Sequence, residues 1–316
     1  MLLEVLNDPA RRRETASLKW TLYPPDVLPL WVADMDFRAP RVILDALRER
    51  VEEGVFGYTF ESSSLRDVIV ERVVQRHGIA VRPEDLIFTP PLVYVLYTMG
   101  RVFAGQGKPV LMSTPIYPPF LMSVRNCGAH LVDVPLASTL RDGVLHYEID
   151  FDALEAAITP ESKLLMICSP HNPVGRVFTR HELLRLAELA EKHNLVVVSD
   201  EIHSDLVFGG HEHIAFASLA PEIAHRTITL NAPSKTFNVP GLQFSYAVIT
   251  NPVLRQRVTA DMERIAGHPN MFGFVAAKAA YQGGQPWLDE LLVYLEANRD
   301  AFVSYMRENL PQLPVT

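Results

Sequence analysis

Asn172, Asp200 and Lys235 stand at matching places in this chain. Each lies just after an apolar run. Ser169-Pro-His-Asn-Pro-Val-Gly175 follows Lys163-Leu-Leu-Met-Ile-Cys168, and Ser199-Asp-Glu-Ile-His203 follows Leu195-Val-Val-Val198. Asn231-Ala-Pro-Ser-Lys-Thr-Phe-Asn238 follows Arg226-Thr-Ile-Thr-Leu230. Short apolar, β-branched runs of this kind predict buried strands. In an open α/β sheet the carboxyl ends of the strands open onto one crevice, where ligands bind. An amine, a carboxylate and an amide in such a crevice suit pyridoxal phosphate (PLP). The lysine forms a Schiff base with its aldehyde, and the acid holds its pyridine nitrogen protonated.

The elements that must position these groups follow from the pattern around them. Residues 1–40 read as an irregular arm rich in proline and turns. Helical periodicity covers 42–54, 64–77, 92–104 and 118–127, and strand-like runs cover 85–89, 109–113, 130–134 and 244–250. Thr179-Arg-His-Glu182 is a capping box that opens a helix to His193. Beyond Pro252 the chain reads as helical, with a long helix over 287–309. Apolar strands alternating with helices predict a three-layer α/β sandwich with a largely parallel, covered sheet. The expected division is an arm (1–40), a large domain (41–252), and helices leading into a small C-terminal domain (253–316).

Composition bounds the function. A chain of 316 residues buries a large core, and 48% hydrophobic with 21% charged residues is ordinary for a globular protein. A net charge of −8 lacks the basic footprint that nucleic-acid binding needs. No apolar run reaches the length of a membrane span. Glu4 and Asp8 interrupt the first apolar stretch and Arg11-Arg-Arg13 follows it, unlike a secretory signal. Of the two cysteines, Cys168 lies in an apolar run and reads as a buried free thiol; a reducing cytoplasm is expected.

Further motifs occur in order: Trp31-Val-Ala-Asp-Met-Asp-Phe37, Phe56-Gly-Tyr58, Thr114-Pro-Ile-Tyr117 and Gly241-Leu-Gln243. With the three segments above, they make nearly the whole chain resemble fold-type I PLP enzymes of the class I/II aminotransferase superfamily. Within it the chain is similar to the cystathionine β-lyase, or C–S lyase, branch. The resemblance implies a role for each matching residue. Lys235 would be the Schiff-base lysine and general base, flanked by Ser234, Thr236, Phe237 and Asn238 in the family's order. Asp200 would pair with the pyridine nitrogen, and Asn172 would reach the phenolic oxygen. His203 stands where many aminotransferases place a tyrosine on that oxygen, and histidine there is typical of the C–S lyase branch. Tyr117 would stack on the ring. The amides of Leu92 and Val93 would hold the phosphate at a helix N-terminus, although Pro91 replaces the family's usual glycine. Ala232 lacks a hydroxyl that many relatives offer, and Gln243 replaces an arginine, as it does elsewhere in the branch. Tyr58 would reach the phosphate of a neighbouring subunit, implying a homodimer.

The expected activity is cleavage of cystathionine or cysteine conjugates to a thiol, pyruvate and ammonia. An aminotransferase is the alternative, and a catalytically weak regulatory protein is a second. A metal reading competes at Asp200, Glu201, His203, Asp205, His211 and His213, but no His-Glu-x-x-His spacing is present. The end at Pro311-Gln-Leu-Pro-Val-Thr316 departs from the family. The small domain's sheet and its carboxylate-binding arginine have no candidate, so a truncated chain is expected. The apolar face Leu291, Leu292, Leu295 and Phe302 would then lack part of its cover.

Overall fold

Alternating side chains on a stack of short strands decide the architecture. The structure is a computed structural model that describes Leu3 and residues 9–265 and 267–316. The strands are β1 (Leu86–Thr89), β2 (Pro109–Met112), β3 (His130–Asp133), β4 (Ala137–Arg141), β5 (Val144–Glu148), β6 (Leu164–Cys168), β7 (Val196–Asp200), β8 (Thr227–Asn231) and β9 (Ser245–Val248). The main helices are α1 (Arg41–Glu52), α2 (Ser63–His77), α3 (Leu92–Met99), α4 (Pro118–Asn126), α5 (Phe151–Ala157), α6 (Arg180–Lys192), α7 (Pro233–Thr236), α8 (Pro252–Ile265), α9 (Met271–Gly283) and α10 (Gln285–Asn309).

Seven strands form one sheet in the order β1-β9-β8-β7-β6-β2-β3. Only β9 runs antiparallel to its neighbours; the pairs among β8, β7, β6, β2 and β3 are parallel. Successive strand residues face opposite sides. Val110, Met112, Leu164, Met166, Cys168, Val198, Ile228 and Leu230 therefore pack on one side, under α3, α4 and α8. Leu111, Leu165, Ile167 and Val197 pack on the other, under α5 and α6. The expected sandwich with helices on both faces is what forms. A third cluster lays α2 and α9 against β1 and β9. A fourth joins Ile43 of α1, Phe237 and Val239, and Trp287, Leu288 and Leu291 of α10.

Local chemistry explains the ends of elements. The Thr179 hydroxyl accepts from the Glu182 amide, and the Glu182 carboxylate accepts from the Thr179 amide, which is the capping box read from sequence. The expected helix over 92–104 is α-helical only to Met99. Gly100–Ala104 is a π-helical turn closed by Gly105 N–H to Gly100 O at 2.9 Å. Strand β1 starts one residue later than expected, because the Asp85 carboxylate accepts from the Arg82 amide in a preceding turn. The β4–β5 hairpin and α5 were not expected. Residues 9–14 and 18–21 of the arm form short helical turns.

On α10, Leu291 is fully buried, and Leu292 and Leu295 pack partly against the fourth cluster, whereas Phe302 is 53% exposed. Most of that apolar face is thus covered within the described residues. Both cysteines are free and Cys168 is buried, as expected.

Leu111→Ala removes a fully buried side chain between β2 and the α5–α6 layer. It should cost about 2–5 kcal/mol in chemical denaturation. Leu140→Ala, on the exposed hairpin (63% exposed), should stay within about 0.5 kcal/mol. Equal losses would contradict the two-layer core.

Candidate active site at the strand ends

Strand register brings the proposed groups together. Cys168 pairs with Asp200, and Asp200 with Leu230, across β6, β7 and β8. The turn bearing Asn172, the end of β7 and the turn bearing Lys235 therefore leave the sheet side by side. Asp200 is the last residue of β7 and does not, as the sequence suggested, lie just beyond the strand. Alternation sends the neighbouring acids Asp200 and Glu201 to opposite faces.

Asp200 is 3% exposed. Its Oδ1 accepts from the Ile202 amide at 3.1 Å. Burial raises its pKa to about 7, the Ile202 N–H opposes the rise, Glu201 adds to it and Lys235 opposes it. Three residues on, His203 is pushed down to about 4 by burial and by the charge of Lys235, so its ring is neutral. Lys235 lies in the one-turn helix α7. Burial lowers its pKa, while Asp34 and Asp200 pull it back up. Its Nζ donates to Ala33 O at 3.3 Å. Tyr117, capping α4, is 38% exposed; partial burial raises its pKa, and the Asp200 charge, which reaches it, adds to the rise.

Leu92 and Val93 open α3 directly after Pro91, and their amides precede the first intrahelical bond. Thr89 Oγ1 and Ser245 Oγ, 2.6 Å apart, tie the start of that turn to β9. Asn172 is partly buried in a turn closed by Gly175 N–H to His171 O at 2.8 Å. The His171 ring, 2.8 Å from Pro115 O, fixes that turn against the segment leading to Tyr117. Ser234 is partly buried beside Lys235. Tyr58 is fully exposed between α1 and α2. No interaction among the described residues ties Tyr58 to the Lys235 turn.

Several supporting residues had no assigned role in the sequence. Asn238, at φ +56°, donates to Met35 O and Phe37 O (both 2.9 Å) and accepts from the Met35 amide (3.1 Å). It straps the Trp31–Phe37 motif over the lysine turn. An asparagine after that turn, a residue type that tolerates positive φ, was the available clue; its partners, some 200 residues away, were not. Glu201 is fully buried and accepts from Ser199 Oγ (2.8 Å), the Phe216 amide (3.0 Å) and His213 Nε2 (2.9 Å). Burial alone would raise its pKa, but His213 holds it below the usual range. Of the acids and histidines that suggested a metal, Glu201 and His213 pair with each other and Asp205 pairs with Arg72. Among the described residues no group of three or more His, Cys, Asp or Glu could hold a metal ion. No helix among them is long and apolar enough to cross a membrane.

Known proteins match this geometry. The family model for aminotransferase class I and II matches residues 25–316. Cystathionine beta-lyase PatB of Bacillus subtilis is 41% identical over 309 residues, covering 96% of this chain and 79% of that protein. Among solved structures, OvoB superposes with a TM-score of 0.90 at 42% identity, over 98% of this chain and 79% of that one. Cystalysin from Treponema denticola, which contains a pyridoxal 5'-phosphate cofactor, superposes with a TM-score of 0.93 at 32% identity, over 99% and 81%. The chain belongs to the aminotransferase class I and II family.

The Asp200 environment predicts a pH effect on the ligand-free protein. With its folded pKa near 7 and an ordinary value of 3.8, the folded state binds more protons than the unfolded state between those values. This group's contribution to stability therefore falls as pH rises through that window. His203, at about 4 against 6.5, acts oppositely and is common to both proteins compared. The melting temperature of Asp200→Asn relative to wild type should climb by a few degrees from pH 4 to pH 7 and then level off. A pH-independent difference would show that Asp200 is not held protonated by burial.

Proposed function

We propose that this chain is a PLP-dependent carbon–sulfur β-lyase acting on cystathionine or related cysteine conjugates. The observation that carries the reading is the pairing of a buried, under-bonded carboxylate, Asp200, with a lysine of lowered pKa at neighbouring strand ends. A carboxylate pushed up to about 7 with one backbone N–H donor fits a cationic N–H partner, which would restore its charge. A pyridine nitrogen is such a partner. The rest of the crevice fits the cofactor too. The first amides of α3 suit a phosphate, with the Ser234 hydroxyl near the lysine turn. The half-exposed Tyr117 ring offers a stacking face, and Asn172 and the neutral His203 offer N–H donors for the phenolic oxygen.

When bound, PLP supplies an electron sink for the substrate Cα. Lys235 would hold the cofactor through its amine and, when that amine is free, would take the substrate Cα proton on Nζ. Burial raises its unprotonated fraction, as a base acting near neutrality requires. The electron pair left at Cα forms the Cα–Cβ double bond while the Cβ–S bond breaks and its pair leaves on sulfur. Hydrolysis of the three-carbon product gives pyruvate and ammonia. Asp200 keeps its charge-assisted contact throughout, and the Asn238 strap keeps the arm over Lys235. His203 and Gln243 favour this outcome over amino transfer, in line with the likeness to PatB.

Incubation with cystathionine and no added keto acid should yield pyruvate and free thiol. Strict dependence on a keto acid, with the amino group passing to it, would instead establish an aminotransferase. Asp200→Ala should lower turnover more than PLP affinity.

The proposed assembly is a homodimer in which Tyr58 serves the neighbouring site. Its full exposure, among the exposed Val55, Phe56 and Phe60, supports this reading. Mixed Tyr58→Phe and Lys235→Ala subunits should regain activity above either variant alone. An active monomer in sedimentation would contradict it. The free cysteines accord with a cytoplasmic setting.

A further inference from the structure

Behind the lysine turn lies a buried chain of polar contacts outside the crevice. The Thr236 hydroxyl, fully buried and next to Lys235, donates to Asp205 Oδ2 at 3.0 Å. Asp205 is itself buried and pairs with Arg72 Nη2 at 2.7 Å. Arg72 comes from α2, far from Asp205 and Thr236 in sequence. Its guanidinium lies 4.7 Å from the Tyr281 ring centre and 5.9 Å from that of Phe237, the residue after Thr236. A second bond runs parallel: Asn231 Nδ2 donates to Ser204 Oγ at 3.0 Å. The loop that follows Asp200 and carries His203 is thus joined to the segment carrying Lys235 on both sides of that lysine.

Burying a charged pair is costly unless each charge has partners. Burial pushes the Asp205 carboxyl up, and Arg72 more than reverses this, so Asp205 stays ionised. The surrounding residues could have formed an apolar core. Instead an anion is held where its one side-chain hydroxyl donor is the neighbour of the lysine. Four-residue α7 has too few internal bonds to hold its own orientation. A side chain on such a turn takes its direction from outside contacts.

We infer that Arg72, Asp205 and Thr236 form a strut that positions Lys235, keeping its amine aimed into the crevice and out of water. Thr236 and Asp205 touch neither substrate nor cofactor in this scheme; they act through the lysine, and the inference rests on Lys235 being the reactive amine. A strut of this kind affects two quantities. It sets how readily the amine loses its proton, because an amine free to swing toward solvent returns to its ordinary pKa. It also sets how well the amine meets the Cα proton, which appears in kcat more than in KM.

The test compares Thr236→Val, which removes the hydroxyl at nearly constant shape, with Thr236→Ser, which restores it. The first readout is the rate at which the cofactor-free protein captures PLP as a function of pH, followed by the visible absorbance that forms. In Thr236→Val the midpoint of that profile should move to higher pH by half a unit or more. Its kcat with cystathionine should fall roughly tenfold, with KM within about twofold. Thr236→Ser should return both toward wild type. Thermal unfolding of each variant separates these effects from loss of the fold, and if Thr236→Val unfolds, Asp205→Asn, which breaks the strut at its ion pair with Arg72, takes its place with the same changes expected in both measurements. Lys235→Ala serves as the control for the underlying reading. If it forms the same absorbance as wild type, Lys235 is not the reactive amine and the strut falls with it. If it forms none, yet Thr236→Val matches wild type in midpoint and kcat, only the strut is refuted.

Discussion

The parallel register of β6, β7 and β8 is the constraint on which the rest of the molecule depends. Cys168, Asp200 and Leu230 stand side by side across these strands. A slip of one residue in β7 would turn Asp200 toward the α5–α6 layer and put Glu201 in the crevice. The strands resist that slip because each face is filled. Val198 and Val197, consecutive residues, are both fully buried in different clusters. The core thus acts as the alignment device for the site. Each acid of the Asp200-Glu201 pair then meets its own environment. Glu201 receives a histidine, a hydroxyl and an amide and is satisfied within the protein. Asp200 receives one amide and is left with capacity for a ligand.

How much of this was legible in the sequence depended on whether the signal was local. The apolar runs of β6, β7 and β8 announced buried strands, and their hydrophilic ends announced the site. The capping box at Thr179 marked the start of α6, and the long helix α10 began two residues from its expected position. The β4–β5 hairpin was not legible because its strands are largely exposed, and β4 wholly so, without an apolar face to alternate. Helix α5 did carry a signal: Asp150 accepts from the Ala153 amide as an N-cap.

Contacts distant in sequence were the illegible part. Nothing local to Asn238 indicates that it grips Met35 and Phe37, and nothing local to Arg72 indicates Asp205. A single sequence shows that such groups exist; only the fold shows which of them meet. The dense set Asp200, Glu201, His203, Asp205, His211 and His213 illustrates the point. In sequence it reads as one cluster. In the structure Asp200 and His203 face the Lys235 amine, Glu201 and His213 form a separate buried pair, Asp205 faces Arg72, and His211 is exposed. Twist and alternation of a strand and its following loop divide it among different tasks.

The central claim is that one amine, that of Lys235, carries the chemistry against Asp200. Borohydride reduction of the PLP-loaded protein, followed by peptide mapping, tests it most directly. The account predicts a single reduced label, on the peptide that contains Lys235. A label on any other lysine, or no label after loading, would contradict it.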